Sequence, residues 1–385
     1  MTVSQKPTPL VQPGYGRIRA PYDKGTSVLT GPVLVVGLGP AGASTAIFLA
    51  QLGLDVVAVD RKLKTGLKIG ECLPPDAKTL LDQLGVWAEF MVGGHEPYYA
   101  NRAYWHSDKV QYHDFVQHPI GHGWHIDRPG FEAMLRAKAQ DLGVVMHEQT
   151  NIHALEFDGN LWNVTWMREG QCHETLAFSF IVDATGRSSW VARRQGVARL
   201  LEDRQRALVA FLQADTPLQD STTLVETVDH GWWYSARSPG NRLATAFLFQ
   251  PHRTHPTVSR TEADWWTFVG QAQHTARRLA AGEVELLAPP ALVAADSGIL
   301  ETIYGNGWLA VGDAAMTYDP IASHGLMMSM VSARDAAIAI KAYLNGVTGP
   351  LDQYGHRMYS AFRAYAEIRK RYYPAGRHAG SLSSP

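Results

Sequence analysis

The stretch "VLVVGLGPAGASTAIFLAQLGLDVVAVD", Val33 to Asp60, constrains the fold more than any other part of the chain. A short apolar run leads into a glycine turn, then a helical pattern, then a second apolar run, which predicts a βαβ opening. Gly37, Gly39 and Gly42 stand in G-x-G-x-x-G spacing directly after the first strand. Glycines at this spacing permit the tight turn, a close backbone approach to a pyrophosphate, and close packing of helix on strand. The helix N-terminus adds unpaired N–H groups and about half a unit of positive charge. Asp60 closes the second strand, where a ribose-binding acid is expected, and Arg61 follows it. Strand, turn, helix and acid together predict a dinucleotide site.

The rest of the composition narrows the class. A chain of 385 residues is long enough for two or three packed units. Its formal charge of −1, without a basic run, argues against a nucleic-acid surface. Cys72 and Cys172 are the only cysteines and lack metal-site spacing, so neither a metal site nor a disulfide framework is expected and a cytoplasmic location fits. No apolar run reaches membrane-spanning length, and residues 1–29 read as an extension without a signal-peptide core.

Further along, Pro74–Phe90 reads as a helix, and "DRPGFEAMLRAKAQDLG" as another, with Asp127 at its cap and Pro129 in its first turn. Tyr98–Phe115 reads as extended. "RALVAFLQAD", "TTLVETV", "GWWYSA" and "RLATAFLFQ" read as strands of one antiparallel sheet. A helical stretch lies near residues 261–281, a strand at "GWLAVGDAA", and helices from about Gly325 to Asn345 and over the tail.

Two later segments point to one dinucleotide. "VDATGRSS" ends an apolar strand with Gly186, and "AVGDAAMTYDPIASHGL" places Gly312 and Asp313 after another, with Pro320, Gly325 and Leu326 downstream. They resemble the late signatures of glutathione-reductase-type flavoproteins of the aromatic hydroxylase branch. That resemblance implies FAD, with Asp313 on the ribityl chain and the backbone around residues 324–327 on the flavin edge. A helix starting at Gly325 would aim its N-terminal dipole where reduced flavin carries negative charge. No second glycine motif appears, so a separate NAD(P)H-holding domain is not expected; the resemblance to the aromatic hydroxylase branch implies NAD(P)H as a transient reductant and O2 as co-substrate.

The strings "KIGECLPPDAKTLLDQLGVW", "YYANRAYWHSDKVQYHDF", "GWHIDRPGFEAML", "GWWYSA" and "AVGDAAMTYDPIASHGL" resemble, in order and spacing, the LodB-like flavoproteins. Those enzymes modify a tryptophan of a partner protein during formation of cysteine tryptophylquinone, within a superfamily that includes the flavin-dependent halogenases. The resemblance spans about residues 30–345. This chain departs from the pattern at Cys72, where serine is expected, at His324, where glutamine is expected, and in a short tail.

The resemblance implies an α/β fold: a glutathione-reductase-type, Rossmann-like FAD-binding domain (30–94, 120–200 and 286–345), an inserted antiparallel-sheet substrate domain (95–119 and 201–285) and a helical C-terminal tail (346–385). It implies Glu71 near the flavin and Arg128 against the cofactor, the alternative for Arg128 being a salt bridge on the helix surface. Tyr104, Trp105, Trp232 and Tyr234 are candidates for a substrate pocket, some of them for the core instead. Trp232 and Tyr234 share one face of their strand and Trp233 takes the other. His324 is the candidate acid–base group, or else a structural histidine, and Arg102 a candidate for positioning substrate.

The expected activity is FAD-dependent hydroxylation of a tryptophan- or indole-like ring, free or within a partner protein or peptide, through a flavin C4a-hydroperoxide. Small-molecule phenol hydroxylation, halogenation and a flavin-holding maturation chaperone are the alternatives. Halogenases carry a Gly-Trp-any-Trp-any-Ile-Pro string and a lysine above the flavin. Here Tyr234 and Ala236-Arg237 replace the second tryptophan and the Ile-Pro, and the lysine position falls near Asn101–Arg102.

Overall fold

The computed structural model describes residues 31–61, 66–70, 72–168, 171–251, 261–322 and 325–373. Glu71, His324 and the extension at residues 1–29 lie outside the described residues.

The predicted βαβ opening is present: strand Val33–Val36, helix Pro40–Gln51, strand Val56–Asp60. All four residues of the first strand are buried, as a strand covered on both faces requires. It lies inside a six-stranded sheet, in the order Tyr304–Gly305, Trp308–Ala310, Phe180–Asp183, Val33–Val36, Val56–Asp60, Val145–Glu148. All pairings are parallel except that of the edge strand Tyr304–Gly305. The helices Pro40–Gln51 and Gly325–Leu344 pack on each other, so the starts of two helices converge near one end of this sheet. The helix Arg128–Asp141 is capped as predicted, Asp127 accepting from the Gly130 N–H at 3.2 Å.

The four strand-like runs between residues 206 and 249 form antiparallel neighbours in a second, eight-stranded sheet. Two features differ from the sequence reading. Thr223–Val228 pairs in parallel with Ala100–Tyr104, so the sheet that takes in the 95–119 segment is mixed and not purely antiparallel. Ala291–Ala294 also joins it, beside Arg206–Ala214, so the sheet runs past residue 285. One face packs on the helices Glu262–Val269 and Gln273–Gly282, through Trp233, Phe247 and Trp265. The opposite face, with Trp232, Tyr234, Ala246 and Leu248, turns toward the parallel-sheet unit. No helix among the described residues is long and apolar enough to cross a membrane.

Candidate functional site

At two of the three glycines of the turn, packing leaves no room for a side chain. Gly37 has φ +102°, and a Cβ there would strike the Ala184 carbonyl on the neighbouring strand. A Cβ on Gly42 would strike the Gly37 carbonyl, so Gly42 lets the helix sit directly on the turn. At Gly39 a Cβ would meet nothing within 4 Å. Gly39 is also the N-cap of Pro40–Gln51, and no side chain caps that helix. Its first-turn N–H groups are therefore left for a ligand.

These residues form one end of a cavity of about 840 Å³, within the range of clefts that hold cofactors. Gly37, Gly39, Asp60, Arg61, Arg128, Gly186, Asp313, Pro320, Gly325 and Leu326, all named above as cofactor candidates, line it together. Asp60 Oδ2 accepts from the Leu38 N–H at 2.8 Å, which fixes the carboxylate at the turn. Arg128 makes an ion pair, as the alternative reading had it, but with a buried partner, and it also lines the cavity. Its Nε pairs with Glu132 at 3.1 Å, while Nη1 donates to the carbonyls of Ile69 (3.2 Å) and Gly70 (3.0 Å), and the side chain still faces the cavity. Asp183 is buried behind the wall, accepting from Thr185 and from the Ala192 N–H at 2.9 Å, and burial raises its pKa above the usual carboxylate range. Gly42 and Gly312 do not line the cavity. Gly42 packs on Gly37, and the Gly312 N–H donates to Ser332 Oγ at 3.0 Å.

The fit to FAD rests on three features of this chain. An uncapped helix N-terminus faces the cavity, a carboxylate is held at the glycine turn where dinucleotide folds place a ribose-binding acid, and a second helix begins at the wall at Gly325.

The other end of the cavity is formed by the eight-stranded sheet. Ala207, Val209, Ala246, Leu248, Val293, Ala294 and Ala295 make an apolar floor, with Tyr234 and Cys72 as polar points. Cys72 Sγ lies 3.1 Å from Tyr234 Oη and 3.4 Å from Thr223 Oγ1. Thr223 Oγ1 in turn meets His125 Nε2 at 3.3 Å. His125 is fully buried, stacked on Tyr98 at 4.5 Å, and burial drives its pKa down to about 3. It is therefore a neutral imidazole.

Several pocket candidates are corrected by the pleat. Arg102 and Tyr104 lie on the sheet face turned away from the cavity. Arg102 pairs with Asp220 and donates to Thr222 Oγ1 at 2.9 Å, while Tyr104 stacks on His274 at 3.4 Å. Neither stands at the cavity wall. Trp105 and Trp232 pack on each other at 5.9 Å behind the wall, and of the four aromatic candidates only Tyr234 lines the cavity. The sequence reading missed Cys72 as a partner of Tyr234, and it missed Asp319, a fully buried acid on the wall. "DP" at residues 319–320 was visible, but nothing local marks that aspartate as buried.

Comparison with known proteins agrees with this geometry. The FAD binding domain model matches residues 30–367. LodB of Marinomonas mediterranea, described as an FAD-dependent oxidoreductase, is 24% identical over 347 residues, which cover 88% of this chain and 92% of LodB. A brominase of 1H-pyrrole-2-carbonyl peptidyl-carrier protein from Pseudoalteromonas luteoviolacea is 24% identical over 337 residues, covering 85% of this chain and 81% of the brominase. Among solved structures, the myxobacterial chondrochloren halogenase CndH superposes with a TM-score of 0.83 at 21% identity, covering 91% of this chain and 84% of CndH. The chain therefore belongs to the FAD binding domain family, as an FAD-dependent enzyme similar to LodB and to the flavin-dependent halogenases.

Proposed function

We propose that the chain is an FAD-dependent monooxygenase that hydroxylates a tryptophan- or indole-like ring presented by a partner protein or peptide. NAD(P)H would reduce the flavin. One atom of O2 would enter the ring and the other would leave as water. When bound, FAD supplies electron acceptance and oxygen activation; the chain supplies orientation and a dry wall.

The apolar floor of the cavity carries this reading. The cations among the described lining residues are Arg61, Lys68, Arg128, Arg136 and Arg187, and Arg187 donates to the carbonyl of Asp296, beside the floor residue Ala295. The floor at the sheet end is apolar, with the Tyr234 hydroxyl and Cys72 thiol as its polar points. A neutral ring fits there. The resemblance to the LodB-like flavoproteins, with 92% of LodB covered, favours a ring carried on a polypeptide. His324, next to the lining residue Gly325, is the proposed acid–base group.

Halogenation is the second reading, favoured by the similarity to the brominase. Against it, Lys68 is the only lysine among the described lining residues, and it is paired with Glu132. Asn101, where the halogenase lysine is expected, stands on a strand opposite Thr223.

The deciding experiment incubates FAD-loaded enzyme with NAD(P)H, O2 and a tryptophan-containing peptide, with and without bromide, beside free tryptophan. Mass spectrometry should show one added oxygen on the peptide, regardless of halide. A bromide-dependent mass gain would establish the second reading. Turnover of free tryptophan alone would overturn the polypeptide assignment.

A further inference from the structure

The last helix, Gly349–Tyr372, ends against the wall of the cavity. Arg369, near its end, reaches two buried carboxylates: Nη2 lies 2.9 Å from Asp203 Oδ2, and Nε lies 3.3 Å from Asp319 Oδ2. Asp319 lines the cavity between Tyr318 and Pro320. Its Oδ1 accepts from the Ile321 N–H at 3.0 Å, and its own N–H donates to Tyr365 Oη at 2.7 Å. With its amide turned so that both ends are satisfied, Gln205 donates to Asp319 Oδ2 at 3.0 Å and accepts from Trp232 Nε1 at 3.0 Å. The Arg369 guanidinium also lies 4.5 Å from the centre of the Tyr373 ring, and that ring meets Trp105, the neighbour of Trp232.

A buried ion pair is seldom the most stable filling for such a space, since an apolar substitute of equal volume is often as good. What the pair does supply is directional. It ties a cavity-wall turn, the backbone of one helix and an indole into one arrangement.

We propose that Arg369 is a positioning residue of the cofactor site. Through Asp319 it fixes the Tyr318–Ile321 wall, and through Gln205 the indole of Trp232, so that the last helix completes the site. This holds whatever the substrate is.

The groups facing Asp319 are Arg369, the second carboxylate Asp203, and the phenols Tyr318, Tyr365 and Tyr373, all three raised by burial and neutral. Burial pushes the Asp319 carboxyl up to about 6 against the pull of Arg369 and the Ile321 N–H, and the Asp203 charge adds to the rise. Burial also works against the Arg369 charge, but Asp203 and Asp319 outweigh it and hold that guanidinium above its ordinary value. Without Arg369, the Asp319 carboxyl would titrate higher still. Near neutral pH, the wall would alternate between a neutral acid and an unpaired buried charge.

The test measures FAD Kd by fluorescence titration from about pH 7 to about pH 9, beside thermal melts, for wild type, Arg369→Met and Arg369→Met/Asp319→Asn. Wild type is expected to bind FAD with a flat profile. Arg369→Met should weaken FAD roughly tenfold toward the alkaline end, where Asp319 is charged and unpaired, and regain affinity toward neutral pH. The double variant should restore a flat profile to within about threefold of wild type, since the charge at the cavity wall is gone and Asp203 keeps its donors in the Gln205 N–H and Ser297. A purely structural role would lower the melting temperature without a pH-dependent Kd. A flat Kd in Arg369→Met, or a loss that Asp319→Asn leaves in place, overturns the proposal. Should Arg369→Met not fold, Arg369→Lys carries the test. A weaker Kd relieved by Asp319→Asn supports the assignment, and an unchanged Kd overturns it.

Discussion

Adding one carbon at Gly42 and adding one at Gly39 should have opposite consequences. The first would collide with the backbone carbonyl of Gly37, which can yield only by moving the turn. Gly42→Ala is expected to destabilise the fold by about 1–3 kcal/mol, the usual cost of overpacking, and to lose FAD binding with it. Gly39→Ala places its methyl in open space at the cavity wall with an ordinary extended backbone, so the apoprotein should melt as wild type. Its FAD affinity should nonetheless fall, because the methyl occupies the approach to the helix N-terminus. Calorimetry and FAD titration of the two variants separate packing from binding.

Asp319 makes a second residue-scale prediction. Its pKa is raised from 3.8 to about 6, so the folded state holds this proton more tightly than the unfolded one. Its contribution is fully present below about pH 4 and is lost as pH rises through about 6, a fall on the order of 3 kcal/mol. Asp319→Asn should flatten stability against pH over that window in urea titrations. The glycines and Asp60 were legible in the sequence because their roles depend on neighbours a few residues away. The Asp319–Arg369 pair was not, because it joins residues 50 positions apart that only the folded chain brings together.

At the scale of elements, the strand Gly231–Ser238 divides its work between two faces. Trp233 faces the helix side, fully buried against Phe247 and Trp265, at 5.3 and 5.8 Å. Trp233→Ala should cost about 3–5 kcal/mol, read as a lower unfolding midpoint. Tyr234 faces the cavity and touches Cys72. Tyr234→Phe keeps the ring and removes the hydroxyl, so melting should change little while KM or product distribution shifts. If the two variants gave the opposite pattern, the facing assigned to this strand would be wrong. The alternation along the strand could be read from sequence, since successive residues of any strand point opposite ways. Which face meets the cavity depended on strand order. The pairing of Thr223–Val228 with Ala100–Tyr104 is parallel and joins distant segments, and it turns Arg102 and Tyr104 toward the helices. No local pattern announces that pairing, and the misplacement of those two residues followed from it.

For the molecule as a whole, the cavity lies where the two sheets meet. Its wall takes the glycine turn, Asp60 and Gly186 from the parallel unit, and Ala207, Tyr234 and Ala246 from the second sheet. A ligand filling it touches both, so its binding energy should stabilise both. At free FAD one hundred times Kd, mass action alone contributes about 2.7 kcal/mol. The distribution of that gain is the informative quantity. Trp162 is buried against the parallel unit, its Nε1 donating to the Gly307 carbonyl at 2.8 Å, whereas Trp233 is buried under the second sheet. With each retained in turn as a fluorescence reporter, urea unfolding should show both midpoints rising together as FAD is added. A rise at Trp162 with an unmoved midpoint at Trp233 would mean that the second sheet only borders the cofactor and unfolds independently of it. The floor formed by Ala207, Ala246 and Leu248 would then belong to the substrate alone. Coincident shifts would mean that the flavin cements the two units, making substrate docking on the sheet sensitive to whether the cofactor is in place.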